Sequence, residues 1–227
     1  MCLRLVGSEM CIRDRAAGWL KAFLDSFGMD AIIYESEGHP IVFSDYQTSR
    51  PDAKTILFYG HYDVQPVDPV SLWDSDPFDP VLSSIDNEPC IIARGASDDK
   101  GQLLTFLIAL KYIKNEVGEL PFSLKIILEG EEECGSKTLP IFLEDYKDKL
   151  SADIAYVCDT GMWDKDTPAI TRSLRGLLSE EFKIIGPDRD LHSGEFGGVA
   201  WNPIRIITKI LSDVYDYAGK VTIPNFY

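Results

Sequence analysis

Histidine and cysteine are scarce in this chain, and basic residues are outnumbered. Its 227 residues include 3 histidines and 5 cysteines, and 22 Lys plus Arg face 37 Asp plus Glu, a formal net charge of −15. That deficit argues against a nucleic-acid binder, which needs clustered Lys and Arg to neutralise phosphate. It also argues against docking on an anionic membrane surface. No apolar run approaches the roughly 18–20 residues of a membrane span. Cys2, Cys11, Cys90, Cys134 and Cys158 form no CxxC pair, so neither a disulfide framework nor a cysteine zinc site is expected. They read as small buried core residues of a reduced, cytoplasmic protein. Internal repeats, low-complexity tracts and a secretory h-region are absent as well.

What is present is ordinary for a globular chain, 45% hydrophobic and 26% charged. Residues 1–15, MCLRLVGSEMCIRDR, lack clean periodicity and carry a basic tint from Arg4, Arg13 and Arg15. They read as a non-native leader. The last residues, VTIPNFY, follow a strand-like VTI with no closing helix, so the chain reads as a piece of a longer protein.

Between these ends, strands and helices alternate. A helix is expected over 16–29, with Trp19, Leu20, Phe23, Leu24 and Phe27 on one stripe and Gly28 as its stop. AIIYE follows as a short strand, then KTILFYG (54–60), a Pro- and Asp-rich loop over 64–89, and the short strand CIIAR (90–94). A helix over 100–115, the strand FSLKIIL (122–128), a helix over 138–149 and the strand DIAYVC (153–158) complete the series. The expected class is α/β, a mostly parallel sheet with flanking helices. From about residue 173 the pattern changes to an alternating LSEEFKIIG, a Gly-rich LHSGEFGG, an amphipathic helix over 202–217 and VTI. This reads as the start of a second domain.

Four of the expected strands run directly into residues that can bind a metal. KTILFYG leads to His61 and Asp63, CIIARG to Asp98 and Asp99, FSLKIILEG to Glu131, Glu132 and Glu133, and DIAYVC to Asp159. Singly, each has an ordinary explanation: a helix cap for an Asp, a half-buried histidine, a solvated acidic edge. Together, at the carboxyl ends of neighbouring parallel strands, they mark the crevice where open α/β sheets bind ligands. Carboxylates at that density repel one another, and a pair of divalent cations relieves the repulsion. Histidine nitrogen with carboxylate oxygen suits zinc, with manganese or cobalt as other occupants. His61 and Asp63 lie two apart on extended chain, so Asp63 can orient the imidazole. Of Glu132 and Glu133, one can hold metal while the other faces a water as general base.

The motifs HYDVQPV (61–67), RGASDDKG (94–101), LEGEEECGS (128–136), the Asp of YVCDTGMW (156–163) and LHSGEFGG (191–198) resemble the di-zinc aminoacylase, carboxypeptidase and carnosine-dipeptidase family. The dipeptidase-like branch is the nearest in wording. The resemblance implies a catalytic α/β domain (16–172, incomplete) and part of an α+β lid or dimerisation domain (173–227). It implies that His61 and Asp159 hold the first metal, Asp98 bridges both and Glu133 holds the second. Asp63 would orient His61, and Glu132 would be the general base. His192, in the lid, would reach a partner subunit's site and stabilise the oxyanion. The implied substrate is a dipeptide or other short peptide, with N-acyl amino acids as the alternative, and the implied assembly is a homodimer. Asp99 is expected to cap a helix, Glu131 to face solvent, His39 to be an ordinary surface histidine, and Gly194, Gly197 and Gly198 to serve a turn. The family's second metal takes its last ligand from a histidine well beyond the lid, and neither His39 nor His192 sits in that motif. These 227 residues alone are therefore expected to be inactive or nearly so.

Overall fold

The strand SLKIILE, Ser123–Glu129, is buried at every residue, which only a central strand with both faces covered can be. In the computed structural model, which describes residues 9–227 with side chains from Arg15 onward, it sits in the middle of a five-stranded sheet. The strands are β1 (Ile32–Tyr34), β2 (Ile41–Tyr46), β3 (Thr55–His61), β4 (Val81–Ile85), β5 (Glu88–Ile92), β6 (Ser123–Glu129) and β7 (Ile154–Val157). The sheet order is β1-β2-β6-β3-β7. β3 pairs parallel with β6 and with β7, while β2 is antiparallel to both β1 and β6. Four of the five strands therefore point the same way, and the expected mostly parallel α/β sheet is what forms.

Helices α1 (Glu9–Asp25), α2 (Lys100–Val117) and α3 (Leu139–Asp145) flank it. The period of two along β6 sorts its side chains between two cores. Leu124, Ile126 and Leu128 join Leu20, Leu24, Leu103 and Leu107 on the α1/α2 face, and Ile127 joins Ile41, Phe43 and Phe142 on the α3 face. α2 stops at Gly118, whose left-handed φ of 81° closes the helix with a bond to the Lys114 carbonyl.

Several local expectations are corrected. CIIAR does not enter the sheet. As β5 it pairs antiparallel with β4 through a two-residue turn in which Asp86 and Asn87 both have positive φ, the hairpin geometry that Asx residues tolerate. The loop expected over 64–89 thus contains a strand. β2, the IVFSDY segment between AIIYE and KTILFYG, is a further strand and supplies the antiparallel element. α1 starts at Glu9 rather than at residue 16; residues 1–8 lie outside the described residues. Cys90 and Cys158 are half-buried and Cys134 is exposed, so none of the three is a buried core residue; the side chains of Cys2 and Cys11 lie outside the described residues.

The contacts part the chain between Thr171 and Arg172. In the second unit, α4 (Ser193–Phe196) and α5 (Pro203–Val214) form, the latter capped by Asn202, whose Oδ1 accepts from the Ile204 amide at 2.9 Å. LSEEFKIIG forms no strand, because among the described residues no segment pairs with it. VTI contributes only an isolated bridge, Tyr215 to Val221. No helix among the described residues is long and apolar enough to cross a membrane.

Candidate metal centre

The parallel register decides which side chains meet. His61 is the last residue of β3 and lies opposite Glu129 at the end of β6, and the Tyr62 amide extends that ladder by donating to the Glu129 carbonyl at 2.8 Å. On the other side, the Cys158 amide donates to the Tyr59 carbonyl, which brings Asp159 just past β7 to the same edge. The Asp pair arrives differently. It follows the β4–β5 hairpin and opens α2, whose first residue, Lys100, donates to the Tyr62 carbonyl at 2.7 Å.

His61 is fully buried and touches carboxylates through both ring nitrogens. Nδ1 stands 3.2 Å from Asp63 Oδ1; Nε2 stands 3.1 Å from Asp98 Oδ1 and 3.7 Å from Asp159 Oδ2. With zinc–ligand bonds near 2.0–2.1 Å, the donors of a tetrahedral site lie about 3.3 Å apart, and the two Nε2 distances bracket that value. Ligand atoms of His61, Asp99 and Asp159 also lie within 4.8 Å of one another.

Asp99 departs from expectation. It holds the N-cap position of α2 but makes no side-chain cap. Its carboxylate is fully buried, Oδ2 accepts from the His61 amide at 3.3 Å, and Oδ1 has no partner. Burial, with the charges of Asp159 and Asp98, pushes its pKa up to about 6 against the opposing pull of His61. His61 moves the other way from a buried base. Burial disfavours its charge, but the hydrogen bond to Asp63 and the charges of Asp63, Asp99 and Asp159 outweigh that and raise it to about 9. An imidazole with carboxylates at both ring nitrogens and an unpaired, buried oxygen on Asp99 form a donor set that fits a divalent metal.

Asp63, also buried, ties this group to the acidic turn. Its Oδ1 accepts from the Glu132 amide at 3.2 Å and its Oδ2 from the Glu133 amide at 3.1 Å. Glu132–Cys134 form a single 3-10 turn closed by Gly135, whose φ of 93° needs a glycine. The Glu133 carboxylate accepts from Gln65 at 2.7 Å. Burial is the main cause that raises the Glu132 pKa, helped by Glu133, Asp159 and Asp63. Glu131 is not solvent-facing: it is buried and accepts from the backbone amides of His39 and Thr138 at 2.8 Å each. His39 is half-buried rather than an ordinary surface residue. Sequence reasoning passed over Gln65 and Lys100, although both stand inside the quoted motifs. In the second unit, His192 is exposed and caps α4, its Nδ1 accepting from the Gly194 amide at 2.9 Å.

The family model described as Peptidase family M20/M25/M40 matches residues 57–223, a span that holds all of these side chains except His39. The chain belongs to that family. It is 34% identical over 190 residues to the human Beta-Ala-His dipeptidase, which covers 83% of this chain and 36% of that protein. It is 35% identical over 187 residues to a Cys-Gly metallodipeptidase of Schizosaccharomyces pombe, covering 82% of this chain and 38% of the relative. Among solved structures, an M20 family metallo-carboxypeptidase from Sulfolobus solfataricus superposes with a TM-score of 0.74 at 34% identity, covering 94% of this chain and 47% of that one. The chain thus spans less than half the length of these peptidase relatives.

Proposed function

We propose that this chain supplies the metal-holding part of a hydrolase that cleaves the amide bond of dipeptides or related short peptides. The observation that carries the reading is the convergence of Asp98 and Asp159 on His61 Nε2, with Asp63 on Nδ1. The dipeptidase names of the two relatives favour dipeptides over N-acyl amino acids as substrates.

In this reading His61, Asp98 and Asp159 hold one divalent ion and Glu133, with Asp98 shared, holds a second; zinc is the assignment, with manganese or cobalt as substitutes. Bound metal would supply Lewis acidity at the scissile carbonyl and at the attacking water. Asp63 fixes the imidazole so that Nε2 is the free donor. Glu132, its pKa raised by burial and acidic neighbours, takes the proton of the water and delivers it to the departing amine nitrogen. His192 contributes an N–H to the site of a partner subunit: because its Nδ1 accepts from Gly194, the proton sits on Nε2, free to donate there to a carbonyl oxygen as negative charge develops. Residues 16–172 form the catalytic domain and 173–227 part of a lid that pairs two copies into a homodimer, in the cytoplasm. An inactive metal-binding chain is the second reading, favoured by the short span relative to the peptidases.

The deciding experiment uses the product of the complete gene, with bound metal measured beside turnover on dipeptides and N-acyl amino acids. Glu132→Ala is expected to cut turnover at least 100-fold while metal content stays near that of the parent. Loss of metal and activity together would remove Glu132 from the base role, and a parent without turnover on any substrate would favour the second reading.

A further inference from the structure

The turn that carries Glu132 and Glu133 is held from two sides, and only the Asp63 side belongs to the motifs. On the far side lies the loop between β1 and β2, Ser36–Pro40. Its His39 amide donates to Glu131 Oε1 at 2.8 Å, and Glu131 Oε2 takes the Thr138 amide at 2.8 Å. Ser36 Oγ receives the Gly38 amide and meets Thr138 Oγ1, both at 3.0 Å. Tyr62 donates from its hydroxyl to the Pro40 carbonyl. The Glu131 carbonyl in turn accepts from Cys134 at 3.1 Å and from Ser136 at 2.8 Å, which closes the turn on itself.

The packing leaves no slack. A Cβ at Gly38 would overlap Glu131 Oε1 and come to 2.5 Å from Thr138 Oγ1; a Cβ at Gly130 would come to 2.6 Å from Tyr62 Oη. Gly38 does not have a left-handed φ, so it is the close approach of the Glu131 carboxylate, rather than backbone conformation, that calls for a glycine there.

We infer that Glu131 is a positioning residue and that the loop Ser36–Pro40, with Gly38 at its centre, is the brace against which Glu131 holds the Glu132–Glu133 turn. This rests on the metal-centre reading above. Glu131 touches neither substrate nor ion; it acts by fixing where its two neighbours can be. Partners at one remove from a metal commonly change its affinity by about 10–100-fold when lost.

The test is a zinc titration of the 227-residue chain by calorimetry, with hydrogen exchange at the Glu132 and Glu133 amides in the metal-free chain as a readout independent of metal. Glu131→Gln places an amide NH2 against a backbone N–H, and Gly38→Ala pushes the carboxylate away. Each is expected to weaken zinc binding at least tenfold and to speed exchange at both amides, in chains that are fully folded at the temperature used. Because both act on one contact, the double variant should be little worse than the more severe single one. A role confined to stability predicts a lower melting temperature with zinc affinity and exchange unchanged, and that result would overturn the inference. If the parent chain binds no zinc, the proposed function fails instead, and exchange alone decides the brace: faster at both amides supports it, unchanged rejects it. Should Glu131→Gln not fold, Ser36→Ala replaces it, with a threefold loss of affinity or faster exchange expected and no change in either counting against the brace.

Discussion

Three contacts of Asp63 each have a consequence. One oxygen faces His61 Nδ1 and the Glu132 amide, the other the Glu133 amide, so a single buried carboxylate sets both the histidine's tautomer and the position of the acidic turn. Asp63→Asn keeps the shape but turns an NH2 toward a donor. It should weaken zinc binding by about 10–100-fold, as read by calorimetry on chains of equal folded fraction. His61 carries the pH dependence. Its pKa is raised from 6.5 to about 9 in the folded, metal-free chain, so folding favours the protonated form. That contribution is complete below the unfolded value and disappears as pH rises through about 9. The melting temperature of metal-free protein should therefore fall across that window, and zinc uptake should release a proton there, because only the neutral imidazole binds metal. Melts in buffers of increasing pH and proton-release calorimetry check both; a melting temperature that rises over the window would contradict the assignment. His61, Asp63, Glu132, Glu133 and Asp159 stand out in the sequence because each follows an apolar run that ends a sheet strand, whereas Asp98 carries the same signal after CIIARG but reaches His61 from the β4–β5 hairpin. The burial of Asp99 and Glu131 does not stand out, since an acidic residue next to other acids looks solvated until its backbone partners are known.

At the level of elements, hydrophobic period predicted β3, β6, β7 and α2 closely and failed where pairing decides. CIIAR has the same apolar character as a sheet strand, yet the positive φ values of Asp86 and Asn87 fold it back on β4. LSEEFKIIG alternates as a strand should, but alternation without a pairing segment leaves its backbone groups to solvent. β2 is hard to read in the sequence because Asp45 and Ser44 interrupt an otherwise apolar IVF, although Ser44 is buried with its hydroxyl bonded to the Met29 carbonyl. α3 rests on Phe142, which is fully buried among Tyr34, Phe43 and Tyr146 at ring-centroid distances of 5.2, 5.6 and 4.6 Å. Phe142→Ala should cost about 3–5 kcal/mol of folding stability, measurable by denaturant unfolding. A loss under about 1 kcal/mol would mean that the α3 face collapses around the cavity instead of keeping it.

For the molecule as a whole, a chain of net charge −15 brings six carboxylates and one imidazole to the edge of one sheet, an arrangement that costs free energy until cations enter. The most direct check is a crystal of the protein grown with zinc and measured at the zinc absorption edge. The account predicts anomalous density between His61 Nε2 and the carboxylates of Asp98 and Asp159, about 2.0–2.2 Å from the donor atoms, with a second peak beside Glu133 sharing Asp98. An empty sheet edge under saturating zinc, or zinc bound only at His39 or His192, would contradict it.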